Sequence, residues 1–132
     1  MEHGESIDYD GCLIATGASP RRIPNTPPLA GICVLRTLGD CLALRAELER
    51  GPRVAVVGGG FIGAEVAATC RERGLEVSLL EALPQPMSLA LGPRIGALLA
   101  ELHRDHGVDV RCGVGVAGFS GSGGRVERVR LA

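Results

Sequence analysis

The sequence predicts an α/β fold, a doubly wound parallel sheet with a small antiparallel β-meander as a crossover. Three observations point there. Short apolar runs alternate with helical patterns, the order that βαβ units need. The 132 residues include 20 glycines and 8 prolines, which suit many tight turns. The hydrophobic share is 45%, enough for one domain of this length to bury a core.

Taken in order, Tyr9 to Thr16 (YDGCLIAT) predicts a short strand entering Gly17. The stretch from Ala18 to Gly31 is rich in proline and has no period, so it reads as an extended linker. Ile32 to Leu35 predicts another short strand. Thr37 has the chemistry of a helix N-cap, with Asp40 at the capping-box position. The helix it opens is expected to run to about Arg50, with Leu38, Cys41, Leu42 and Leu48 on one side. Gly51-Pro52 ends it.

Arg53 to Glu81 is the most informative stretch: RVAVVGGGFIGAEVAATCRERGLEVSLLE. Val54 to Val57 predicts a buried strand. Gly58, Gly60 and Gly63 then give the spacing G-x-G-x-x-G, followed by a helical pattern. Ile62, Val66 and Cys70 recur every four residues and are expected to face the sheet. Gly74 is expected just past the helix end, and Leu75 to Leu80 forms the second parallel strand.

Each glycine has its own task in a dinucleotide site. Gly58 permits a sharp strand-to-helix turn because it has no Cβ. Gly60 leaves room for a pyrophosphate, and Gly63 lets the helix lie close on the strand. The amides near Phe61 and Ile62, at the helix N-terminus, are expected to hold the diphosphate. Glu81 closes the unit about 20 residues on, where an acid accepts hydrogen bonds from an adenosine ribose. A carboxylate there opposes a 2′-phosphate by about 4 kcal/mol per charge pair at ~4 Å and an effective dielectric of ~20. The residues therefore favour NADH over NADPH. The same pattern in another α/β protein would leave a glycine-rich turn and an ordinary strand-end acid.

Ala82 to Gly92 reads as a loop, and Pro93 opens a further helix. Ile95, Leu98, Leu99 and Leu102 form its apolar stripe, and Gly107 ends it. His103 and His106 have a spacing seen in metal sites, but nothing nearby completes a ligand set. They read as helix-end histidines. Val108 to Arg111 predicts a third strand. Gly113 to Phe119 and Arg125 to Leu131 predict two more, joined by a turn at Ser120 to Gly124.

Composition excludes several classes. The formal net charge is −1, with one Tyr, two Phe and no Trp. No basic stripe with stacking aromatics exists, which argues against nucleic acid. There is no apolar run long enough for a membrane span. Met1 to Asp8 is polar and acidic, unlike a signal peptide, and points to the cytoplasm. Cys12, Cys33, Cys41, Cys70 and Cys112 are odd in number and form no C-x-x-C pair. Most are read as small hydrophobes with free thiols.

Five segments together carry a family resemblance. They are DGCLIATGASPRRIP, LRTLGDCLALRAEL, VAVVGGGFIGAEVAA, VSLLEALPQPM and LHRDHGVDVRCGVGV. The chain resembles the NAD-binding domain of FAD-dependent pyridine nucleotide-disulfide oxidoreductases. It is nearest the bacterial ferredoxin reductases, of rubredoxin and putidaredoxin type, that serve oxygenases and cytochromes P450. The resemblance implies that Gly58, Gly60, Phe61, Ile62 and Gly63 form the pyrophosphate loop and that Glu81 holds the ribose. It implies that Glu65 lies toward the nicotinamide. The residue chemistry alone equally supports Glu65 as a first-turn carboxylate that complements the helix dipole. Thr16 and Gly17 match a segment that closes over FAD.

The resemblance further implies hydride transfer from NADH to FAD and electron delivery to a ferredoxin-type iron–sulfur protein. Residues 1–30 then read as the tail of an FAD-domain strand with its linker, and 31–132 as the NAD(H)-binding, Rossmann-like domain. Both ends of the chain are abrupt, so it reads as a piece of a longer reductase, inactive alone. No catalytic group or metal site of its own is expected. The alternatives are the same domain from an NADH oxidase, a coenzyme A disulfide reductase or a nitrite reductase flavoprotein, or a non-catalytic NAD-binding module.

Overall fold

The three apolar runs pair as a parallel sheet. In this computed structural model, which describes residue 4 and residues 6–132, strand β1 spans Val54–Val57, β2 Val77–Glu81 and β3 Asp109–Cys112. Their order is β1-β2-β3, and both pairings are parallel. Helix α1 (Leu38–Leu48) precedes the sheet. Helices α2 (Phe61–Glu72) and α3 (Ser88–Asp105) make the two crossovers. Strands β4 (Val116–Ser122) and β5 (Arg125–Leu131) form a separate antiparallel hairpin. Residues 1–3 and 5, part of the polar opening stretch read for targeting, lie outside the described residues. Among the described residues, no helix is long and apolar enough to cross a membrane.

The core is a row of side chains across one sheet face. Val56 is in register with Leu79, and Leu79 with Val110. Ala67 and Cys70 of α2 and Ala100 of α3 pack against that row. Leu79 is fully buried, and such burial is worth about 1.5–3 kcal/mol. The other face is more open. Ala55 and Val57 are exposed, while Leu80 is buried.

The helices use different faces from those the periodicity predicts. On α2 the buried row is Ala64, Ala67 and Cys70. Cys70 is shared with the expected stripe, and Val66 is only partly buried against the core. Ile62, however, is 54% exposed. On α3 the buried residues are Gly96 and Ala100, and Ile95, Leu98 and Leu102 are largely exposed. The physical reason is distance. A Cβ on Gly96 would lie 2.5 Å from the Pro86 carbonyl oxygen, so the contact face admits only small residues. On α1 none of the residues is fully buried, and Leu38, Cys41 and Leu42 are exposed. Leu48 alone of that set packs against the core.

Two predicted strands do not form. Tyr9 to Thr16 is exposed and irregular, with no pairing partner among the described residues. Ile32 to Leu35 is irregular too. Next to it, Ala30 makes a single parallel bridge to Arg125. A strand needs a neighbour for its backbone groups, and an apolar run alone does not supply one. The long loop after β2 also differs. A helical turn begins at Ser88, and Gly92 (φ 80°, ψ 164°) kinks α3 before Pro93 restarts it. The hairpin turn is tighter than expected. Gly123 and Gly124 both have positive φ, as a two-residue type I′ turn requires.

The local stop signals act as predicted. Thr37 and Asp40 form a reciprocal capping box at α1. At the end of α2, Leu75 N–H donates to Cys70 O, and Gly74 N–H donates to Arg71 O. The same motif ends α3, with Val108 bonded to His103 and Gly107 to Arg104. Both are Schellman caps, with the glycine left-handed. Cys12, Cys33 and Cys41 are exposed, against the expectation that most cysteines pack as small hydrophobes. Cys70 does so fully and Cys112 in part. Burial raises the pKa of both thiols, which keeps them protonated.

Arg71 joins the two helix ends. Its Nη1 donates to Leu75 O at 2.8 Å and its Nε to His106 O at 3.1 Å. Arg71→Ala is expected to lower stability by about 1–2 kcal/mol in urea unfolding, since both bonds have a charged donor. A second prediction concerns acid. Thr37 N–H donates to Asp40 Oδ2 at 2.9 Å, and bonds from Thr37 hold the carboxyl below its ordinary 3.8. Its stabilising contribution is therefore present above the unfolded pKa and is lost as pH falls through the lower folded value. In Asp40→Asn, the urea midpoint is expected to fall less steeply than in the parent over that acid range.

Candidate functional site

The glycine bend between β1 and α2 builds the site. Gly58 has φ +99°, a value that side chains rarely adopt, and its N–H stays bonded to Leu80 O at 2.8 Å. The strand therefore turns without leaving β2. Gly60 is the N-cap of α2 and has no side chain to cap it. The first-turn N–H groups, including those of Phe61 and Ile62, have no intrahelical acceptor. A Cβ on Gly58 or Gly60 would meet nothing within 4 Å. A Cβ on Gly63 would collide with the Gly58 carbonyl oxygen. The three glycines thus stand in three different surroundings: a turn, an open approach and a close helix–strand contact.

Glu81 ends β2 and reaches back under the bend. It is 9% exposed. Its Oε2 accepts the Gly59 N–H at 2.6 Å, and its Oε1 accepts the Leu83 N–H at 2.7 Å. A carboxylate offers about four acceptor positions, so each oxygen keeps one for a ligand hydroxyl. The arrangement combines free amides for an anion with an anchored acid for a diol.

Gly59 is the residue that the spacing rule misses. It is buried, and a Cβ there would lie 2.8 Å from Pro86 Cβ and 3.1 Å from Glu81 Oε2. Its carbonyl accepts the Met87 N–H at 2.8 Å, and Met87 has φ +53°. The sequence signal was present, as the middle glycine of a run of three, but G-x-G-x-x-G treats that position as free.

The other candidates are placed less tightly. Phe61 and Ile62 are each 54% exposed beside the bend. They line, with Gly58, Gly60 and Gly63, an open cleft of about 1510 Å³ that continues over the free sheet face to the hairpin. Glu81 lies outside that cleft, on the β2–α3 loop side. Glu65 is exposed, and the first turn of α2 contains no acid. The first-turn dipole reading of Glu65 therefore fails, since the effect fades beyond that turn. Thr16 and Gly17 lie in the exposed segment before α1 and do not line the cleft. His106 Nδ1 lies 2.8 Å from Leu102 O at the end of α3. Among the described residues, no His, Cys, Asp or Glu cluster is placed to hold a metal.

Glu81→Gln tests the anchoring. An amide presents one acceptor and one donor, so one of the two backbone N–H groups would face another donor. The near-isosteric change is expected to destabilise the domain by about 1–3 kcal/mol in urea unfolding, the penalty for an unsatisfied buried donor.

The family described as pyridine nucleotide-disulphide oxidoreductase matches residues 1–132. The chain is 43% identical over 133 residues to the benzene 1,2-dioxygenase system ferredoxin–NAD(+) reductase subunit of Pseudomonas putida. That alignment covers 99% of this chain and 32% of the relative. It is 37% identical to putidaredoxin reductase of Pseudomonas putida, covering 90% of this chain and 29% of that one. Among solved structures, the ferredoxin reductase for the CYP199A2 system of Rhodopseudomonas palustris superposes with a TM-score of 0.79 at 34% identity. It covers 84% of this chain and 28% of the other. The chain thus spans about a third of the length of the relatives it matches. The match along all 132 residues, on an α/β frame bearing this glycine bend, places the chain in the pyridine nucleotide-disulphide oxidoreductase family.

Proposed function

We propose that this chain is the NADH-binding domain of an FAD-dependent ferredoxin reductase. The observation that carries the reading is the open, uncapped bend at Gly58–Gly63 with Glu81 anchored beneath it. The residues fit a dinucleotide. Amides near Phe61 and Ile62 meet the diphosphate, and Gly60 leaves it room. The two free acceptor positions of Glu81 take the adenosine ribose hydroxyls, and its charge opposes a 2′-phosphate. Glu65 stands toward the nicotinamide, and Thr16 and Gly17 toward FAD. When bound, the two coenzymes supply the redox chemistry, and the protein supplies position and electrostatics.

In this reading residues 1–30 are the FAD-domain tail and linker, and 31–132 the coenzyme domain of a longer cytoplasmic enzyme. Its electron acceptor is a ferredoxin-type iron–sulfur protein. The relatives support this branch over the alternatives. Ferredoxin reductases are 34–44% identical, against 29% for the solved Bacillus anthracis CoADR-RHD. A neighbour solved as a covalent putidaredoxin reductase–putidaredoxin complex, at 38% identity, supports the class of partner.

The test is a titration of the chain with NADH and NADPH. NADH is expected to bind, and NADPH to bind at least about tenfold more weakly. Gly60→Val should keep the fold, because its Cβ meets nothing within 4 Å. It should weaken NADH by about tenfold or more, since the side chain fills the approach. Equal NADH affinity in a folded Gly60→Val protein would remove the basis of this proposal.

A further inference from the structure

We infer that Gly96, on α3, positions the diphosphate loop through Pro86. Neither residue lines the open cleft. The inference rests on the dinucleotide reading of the bend and concerns residues outside the cleft onto which the bend opens.

Three residues interlock. Pro86 is among the largest fully buried side chains. On one side, a Cβ added to Gly59 would lie 2.8 Å from Pro86 Cβ. On the other, a Cβ added to Gly96 would lie 2.5 Å from the Pro86 carbonyl oxygen and 2.9 Å from Gln85 Cβ. Pro86 is therefore a wedge between two glycines, one in the coenzyme loop and one on α3. The same loop bonds to Gly59 directly, through Met87 N–H to Gly59 O at 2.8 Å.

Neither flank can yield freely. Ala100, one turn beyond Gly96, is fully buried in the core and fixes α3 against the sheet. Gly59 is tied by its N–H to the Glu81 carboxylate at 2.6 Å. Close-packed interiors transmit a displacement rather than absorb it. A methyl group at position 96 therefore pushes Pro86 toward Gly59, shifting the bend that presents the Phe61 and Ile62 amides. Gly96 is a positioning residue, and the small face of α3 serves the loop as well as the core.

The test uses Gly96→Ala in the whole chain, with amide hydrogen exchange and NADH titration as separate readouts. Exchange at the Gly59 and Met87 amides is expected to quicken by about tenfold or more, while Leu79 and Val110 keep their protection. NADH affinity should fall by about tenfold in the same protein. Unchanged exchange at Gly59 and Met87 in folded Gly96→Ala would overturn the inference, whatever NADH does. Quickened exchange in a chain whose parent does not bind NADH would keep the coupling and reject the dinucleotide reading. If Gly96→Ala fails to fold, Pro86→Gly removes the ring carbon that meets Gly59 and leaves the carbonyl that meets Gly96. It should quicken the same two amides, and unchanged exchange there would be equally decisive.

Discussion

The site depends on one buried carboxylate. Glu81 accepts two backbone N–H groups, one from the glycine bend and one from the loop after its own strand. Hydrogen bonds to a charged acceptor are worth about 1.5–3 kcal/mol each, and a buried donor left without one is costly. The carboxylate thus fixes the bend from below before any ligand arrives. Gly58 fixes it from the side through Leu80, and Met87 through the Gly59 carbonyl. A loop of three consecutive glycines would otherwise be among the most mobile parts of the chain. Pre-organisation of this kind reduces what binding must spend on ordering the loop.

The same constraint explains the faces that the helices turn to the core. A bend clamped this closely brings α2 onto β1 and α3 onto the β2–α3 loop. At those distances leucine has no room, and Gly63, Ala64, Ala67, Gly96 and Ala100 make the contacts. The larger residues of each helix are displaced to the flanks, where Ile62, Ile95 and Leu98 are half or more exposed or close to it. The helices are therefore positioned by the smallness of their contact residues as much as by burial of apolar mass. Arg71 adds a polar tie where α2 and α3 both end, bonding one carbonyl from each turn.

Much of this was legible in the sequence, and the failures have a common cause. Local chemistry read well. The Thr37–Asp40 box, the glycine stops at Gly74 and Gly107, the Pro93 helix start and the strand at Val54–Val57 depend on neighbours within a few residues. The spacing of Gly58, Gly60 and Gly63 read well as geometry, because each glycine meets a distinct surrounding. What failed were features decided at long range. Hydrophobic periodicity marks an apolar face but not how near the next layer stands, so the stripes on α2 and α3 were rotated. YDGCLIAT has the composition of a strand without a partner to pair with. Gly59 was missed because its constraint is Pro86, 27 residues away in sequence and buried against it in space.

Under the proposed function, anchoring and coenzyme selectivity fall to one side chain, which constrains how coenzyme choice can change. If Glu81 served only to repel a 2′-phosphate, a neutral or basic residue there would reverse the preference at little cost. It also satisfies the Gly59 and Leu83 amides, so any such residue leaves a buried and a half-buried donor to be re-satisfied. The repulsion, about 4 kcal/mol per charge pair at ~4 Å, is comparable in size to the anchoring it would forfeit. A change of preference therefore requires new acceptors for both amides as well as a new charge. Under the proposed function, coenzyme selectivity and loop order therefore rest on the same carboxylate, the one that accepts the Gly59 N–H.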